Sequence, residues 1–194
     1  MKNPRIVAWG NVELHISLLC SCFVHKGQVI TSFFHFSVVI SFPVDIAFAI
    51  SATSARANEL YDYMLDVIKL IVDNYGMYTV HYAFMVFGDD TDVRIRFGDA
   101  FNSPDQLKVV LENIPRIGGQ PNLEKALEKA TELFRPGYKG ERPGVRKFLV
   151  VIVDKDTVGD VTRYAKSLEN TGIKVGAICQ IGRASCRERV CQYV

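Results

Sequence analysis

From residue 43 to residue 179 the sequence switches repeatedly between two hydrophobic periods, and this switching restricts the fold more than any single motif does. Residues 44–50 (VDIAFAI), 80–87 (VHYAFMVF), 148–153 (FLVVIV) and 173–179 (IKVGAIC) are near-continuous apolar runs of strand length, as expected of strands buried on both faces. Residues 93–97 (VRIRF) alternate instead, the mark of a half-exposed edge strand, and Gly88, Asp89 and Asp90 form the hairpin turn before them. The segments between carry the helical period. Residues 57–75 place Leu60, Met64, Val67, Ile68 and Ile71 on one face, with Gly76 as the stop. Ser103 as cap and Pro104 as first helical residue open a short helix with Leu107, Val110, Leu111 and Ile114 inward, closed by Pro115. Asn122 caps residues 123–134, whose inner face is Leu123, Ala126, Leu127, Ala130 and Leu133; residues 158–170 turn Val161, Tyr164, Ala165 and Leu168 inward.

That order predicts an α/β fold: a doubly wound, open, mostly parallel sheet with helices on both faces and residues 93–97 as an antiparallel edge strand. Such sheets bind ligands outside the carboxyl ends of their central strands. The loops at residues 51–55, 88–90, 118–122 and 154–157 are therefore the ones that carry function. The stretch 135–146, rich in Gly, Pro and charge, reads as a surface loop.

Charge and cysteine usage exclude several classes. The 194 residues are 48% hydrophobic and 23% charged, the balance of a globular chain. The formal charge of +2 comes from the ends, each with three cations against one carboxylate, which leaves residues 43–180 at −2. No polyanion footprint results, so a nucleic-acid partner is excluded. Cys20, Cys22, Cys179, Cys186 and Cys191 have no zinc or redox spacing. No Ser or Cys has a recognisable base partner, and Gly118-Gly119 is too short to cradle a phosphate.

The chain thus divides into a poorly patterned segment 1–42, a domain 43–180 and a tail 181–194. In the first, Asn11, Glu13 and His15 interrupt any signal-like start, and residues 29–42 are short for a membrane span and carry His35. A signal and non-domain sequence both stay open there, and membrane association with them. The tail's residues 181–190 (IGRASCRERV) resemble a translated sequencing-adapter frame and are expected to lie outside any domain.

Over residues 43–180 the strand VDIAFAI, the turn FGDD, the GG loop before LEKAL and the strand FLVVIVD, in this order, resemble a von Willebrand factor type A domain of the kind in collagen-associated matrix and adhesion proteins. The resemblance implies a six-stranded Rossmann-like sheet with its ligand face at the loops named above. It also implies that a last helix, strand and helix are missing here, leaving the edge at 173–179 exposed. The family's metal-ion-dependent adhesion site uses Asp-x-Ser-x-Ser after the first strand, a Thr in the GG loop and an Asp ending the fourth strand. Here Ser51 stands at the first Asp, Thr53 at the first Ser, Ala55 at the second Ser and Pro121 at the Thr; Asp154 keeps its type. One carboxylate with the hydroxyls of Thr53 and Ser51 is a poor shell for Mg²⁺, which needs six well-placed oxygens. A degenerate site without cofactor is expected, with Asp154 and Thr157 serving instead to cap the following helix.

The function implied is non-catalytic, extracellular protein binding, with collagen or another matrix protein as partner. The contact rim is Ser51, Thr53, Ala55, Gly118, Gly119, Gln120, Pro121, Asn122, Asp154 and Thr157. An intracellular scaffold of the same type is the alternative. A nucleotide-dependent enzyme is disfavoured because residues 51–55 (SATSA) lack glycine.

Overall fold

The computed structural model describes residues 24–25, 28–29, 42–52, 58–153 and 161–179. The chain separates into two units, Met1–Val39 and Ile40–Val194. Within the first, β1 (Val24–His25) pairs antiparallel with β2 (Gln28–Val29). The second contains β3 (Val44–Ser51), α1 (Asn58–Tyr75), β4 (Val80–Phe87), β5 (Thr91–Ile95), α2 (Pro104–Glu112), α3 (Leu123–Leu133), β6 (Arg146–Val153), α4 (Thr162–Asn170) and β7 (Lys174–Cys179).

The strands form one sheet in the order β5-β4-β3-β6-β7, parallel except for β5. This is the doubly wound, mostly parallel fold with one antiparallel edge that the periodicity predicts. Strand order reverses between β3 and β6, so the crevice at their carboxyl ends is the switch point at which such sheets place ligands.

The two faces are packed differently, and the difference is written into the strands. Val44, Ile46, Phe48 and Ile50 of β3, with Tyr82 and Phe84 of β4, meet α1 and α2. Ala47, Ala49 and Ala83 meet α3, whose Ala126 and Ala130 are also fully buried. Large side chains fill the first face, where Phe48 and Phe84 stack at 5.1 Å between centroids. On the second, small residues on both partners let α3 approach the sheet closely.

Three sequence expectations are corrected. The edge strand is Thr91–Ile95, not 93–97, because the Gly88 N–H donates to the Asp90 carbonyl (2.8 Å) and the return strand starts at once. It ends where Asp99 Oδ2 accepts the Arg96 N–H (2.8 Å) and turns the chain away. Val110 is not inward but 38% exposed, since the nine-residue α2 buries only Leu107 and Leu111 while Ile114 packs from beyond its end. The stretch 135–146 is more than a surface loop, because its Glu141 and Arg142 reach the sheet. Of the helix expected over 158–170, residues 158–160 lie outside the described residues, as does the tail 181–194.

Arg142 provides the partner for the charge in β3. Asp45 is fully buried, and Arg142 donates to its Oδ1 from Nε (2.8 Å) and Nη2 (2.6 Å), and from Nη2 to the Val44 carbonyl (2.7 Å). A second ion pair, Lys147 Nζ to Glu141 Oε1 at 2.6 Å, ties the same loop to β6. Strand register sets His81, Asp45 and Lys147 side by side across β4, β3 and β6. Burial, helped by the Arg142 cation and opposed by Asp45, lowers the His81 pKa below its ordinary 6.5.

Arg142→Ala leaves the Asp45 carboxylate buried without a partner and should cost about 3–5 kcal/mol by chemical denaturation, with Asp45→Asn/Arg142→Met losing clearly less. The pH dependence of stability checks the His81 environment. The unfolded chain takes up the imidazole proton near pH 6.5, whereas the folded chain resists it. The neutral ring's contribution is therefore complete above that pH and is lost as pH falls through the lowered folded value. Denaturation midpoints should decline on acidification from pH 7.5 to 5.5, and His81→Gln should flatten that decline.

Candidate functional site

The loops at the carboxyl ends of β3 and β4 are fastened to each other through main-chain groups. Beyond β3 the Ala52 N–H donates to the Phe87 carbonyl (3.0 Å), and the Ala52 carbonyl accepts from Gly118 (3.0 Å). The Gly88 carbonyl accepts from Asn122 (2.9 Å). The loop 118–122 is thereby held against both strand ends before α3 begins. Asn122 is the N-cap of α3, its side chain accepting the Lys125 N–H at 3.1 Å.

Asp89 closes the arrangement. Its Oδ1 accepts the Gln120 N–H at 2.8 Å, and its carbonyl accepts from Lys125 Nζ at 2.6 Å. The same ammonium lies 3.3 Å from Asp90, an exposed pair that adds little stability. Gly119 has φ +84°, and a Cβ there would collide with the Asp89 carboxylate. Only glycine satisfies both the backbone and the space.

Of the residues expected at the rim, Gly118, Gly119, Gln120, Pro121 and Asn122 are brought together with Ser51 at the switch point. Gly119 and Gln120 stand at the surface, while Pro121 is buried and Ser51 is 1% exposed at the end of β3. Thr53, Ala55, Asp154 and Thr157 lie outside the described residues. Among the described residues, no group of three or more His, Cys, Asp or Glu is placed to hold a metal, and no helix is long and apolar enough to cross a membrane.

The role of Asp89 was not visible in the sequence, where FGDD reads as a hairpin turn. It is that turn, but its carboxylate also fastens a loop 31 residues away. The available signal was the pair Gly118-Gly119, which lets a main chain come close to an acidic turn. Gly119→Ala should destabilise by about 1–3 kcal/mol through its positive φ and the collision. Asp89→Ala should cost about 1 kcal/mol. The double variant should lose less than the sum in thermal denaturation, since removing the carboxylate removes the collision.

The family model of the von Willebrand factor type A domain matches residues 45–185. Cuticlin-6 of Caenorhabditis elegans is 24% identical over 168 residues, which is 85% of this chain and 28% of that protein. The collagen alpha-4(VI) chain of Mus musculus is 28% identical over 138 residues, 69% of this chain and 6% of the collagen chain. Vitrin of Mus musculus is 27% identical, with 78% and 23% covered. The chain thus spans less than a third of each of these relatives. Among solved structures, proximal thread matrix protein 1 from the mussel byssus, with a zinc-occupied MIDAS motif, superposes with a TM-score of 0.61 at 24% identity, covering 71% of this chain and 36% of that one. An aerotolerance-related membrane protein from Bacteroides fragilis superposes with a TM-score of 0.56 at 22% identity, covering 69% and 66%. The solved structures share the fold, and with the family model matched over most of its length the chain belongs to the von Willebrand factor type A domain family.

Proposed function

We propose that the domain is a non-catalytic, extracellular protein-binding module that meets a matrix protein, collagen being the first candidate, at the rim around loop 118–122, without help from a metal. The relatives support the matrix setting: one is a collagen chain, and a solved structure of the same fold is a byssal thread matrix protein. Family membership makes the switch-point rim the natural contact face.

The donor set is the observation that carries the metal-free reading. At the family's positions for an Asp, a Ser and a Thr, this chain has Ser51, Ala55 and Pro121. Neither Ala55 nor Pro121 has a side-chain oxygen, and Ser51 brings no charge to its buried position. Thr53 and Asp154 alone keep donors of the family's kind. Water would have to supply most of the shell, and an ion that sheds water reluctantly gains little over bulk solution. The residues do not fit a resident dication, so recognition is assigned to main-chain groups and to the exposed Gly119 and Gln120.

Calorimetry should find no saturable Mg²⁺, Mn²⁺ or Zn²⁺ binding at millimolar concentration. The triple variant Ser51→Asp, Ala55→Ser, Pro121→Thr should acquire it. Adhesion to immobilised collagen should be unchanged by chelator and weakened roughly tenfold by Gln120→Arg. One-site metal binding abolished by Asp154→Ala would overturn the metal-free reading, and absence of collagen adhesion would remove collagen as the partner.

A further inference from the structure

Three ionisable groups meet at the amino-terminal ends of the strands, and only one of them is free to leave. Asp45 and His81 are direct neighbours in the ladder between β3 and β4, one strand spacing or about 4.8 Å apart. Both belong to the α3 face, since Ala47 and Ala83, two residues further along each strand, pack there. The ladder fixes both main chains. Arg142 stands instead on the stretch between α3 and β6, and its side chain keeps 24% exposure while it donates to Asp45 and to the carbonyls of Val44 and Thr79. Hydrogen bonds from Tyr138 to Arg135 and from Glu141 to Tyr138, both 2.9 Å, run within that stretch and can travel with it.

His81 is placed to disturb this clasp. Its Nδ1 is buried and has no hydrogen-bond partner among the described residues. The charges around the ring are Asp45 on β3, Arg142 and Glu141 on the stretch, Lys147 one strand further on β6, and Asp99, which lines the same cleft. Glu141 and Lys147 answer each other at 2.6 Å, and Asp99 holds the Arg96 N–H. A proton on His81 therefore makes a second cation beside Arg142, with the Asp45 carboxylate between them. The imidazole is carried on a paired strand and cannot move away. The guanidinium can exchange its carboxylate for water.

We infer that the 135–146 stretch is an acid-released strap: a proton on His81 displaces Arg142 from Asp45 and lets the stretch lift from the strand ends. The long Lys147 side chain lets Glu141 follow at the β6 end. In the closed form burial and the Arg142 cation hold the His81 pKa below its ordinary 6.5, against the pull of Asp45. Release removes that cation and admits water, so the ring of the open form returns towards the ordinary value. The open form then binds the proton more tightly, and its population rises as pH falls through 6.5. This is a local opening that precedes global unfolding, and it does not depend on the reading of the rim.

Amide hydrogen exchange on the full chain tests it, with rates corrected for the intrinsic effect of pH. The Arg142 N–H, 3.4 Å from Asp45 Oδ2, and the Glu141 N–H report the strap, and the ladder amides of Phe48 and Phe84 report the sheet. Between pH 7.5 and 5.5 the opening of the strap should increase at least about threefold, one proton limiting it to about tenfold, while the sheet amides change less. The rise should level off where NMR shows the His81 ring of the folded chain titrating, a check that needs no variant. His81→Gln should leave the strap equally closed at both pH values. Strap exchange that does not respond to pH, an equal rise at Phe48 and Phe84, a His81 ring that titrates at or above 6.5, or an undiminished response in His81→Gln would each overturn the assignment.

Discussion

Every residue of β3 is buried, and the rest of the domain is arranged around that burial. β4 and β6 take both of its edges, α1 and α2 cover one face, and α3 and α4 cover the other. With both ladders occupied, the strand's main chain is satisfied along its length. Polar chemistry is therefore driven to its two ends, where Asp45 and Ser51 stand. The lower end is closed by an ion pair from a distant loop, and the upper end opens on the switch point.

The closure of the lower end shows why the 135–146 stretch is ordered despite its composition. A carboxylate with no exposure is tolerated only with a charge and enough hydrogen bonds to replace water. Arg142 provides them to Asp45 and to the carbonyls of Val44 and Thr79 at 2.7 and 3.2 Å, bridging the β3 and β4 strand starts. The loop so anchored brings Gly140 against the Gly98 backbone, where a Cβ on Gly140 would collide. One buried charge thus anchors a loop that also reaches the turn after β5.

What the sequence made legible follows from the range of the physics involved. Helical period is local, and all five inner positions expected of α3 are buried. The caps Ser103 and Asn122 are local too, and each accepts the N–H three residues on, from Gln106 and Lys125. Asp45 was visible as a lone charge in a strand, but its partner lies 97 residues away in a stretch without periodicity, and no pattern links them. The edge strand was misplaced by two residues because its alternation continues through Arg96 and Phe97, beyond the point where Asp99 bends the chain. Phe97 stays buried after leaving the ladder, so its hydrophobicity reported burial and not pairing. At the rim, the substitutions at Ser51 and Pro121 could be read from the family pattern, whereas the hold of Asp89 on Gln120 depends on the conformation of Gly119, to which only the pair Gly118-Gly119 pointed.

The same constraint shapes the proposed rim. At the rim, the groups the structure brings together are main-chain bonds, a helix cap and a carboxylate already engaged with its own loop. A partner there meets a preformed surface whose specificity lies in shape and in few side chains. A sheet that buries its central strand completely has only its ends and edges left for partners. In this chain the proposed contact is at an end, and it requires no catalytic side chain.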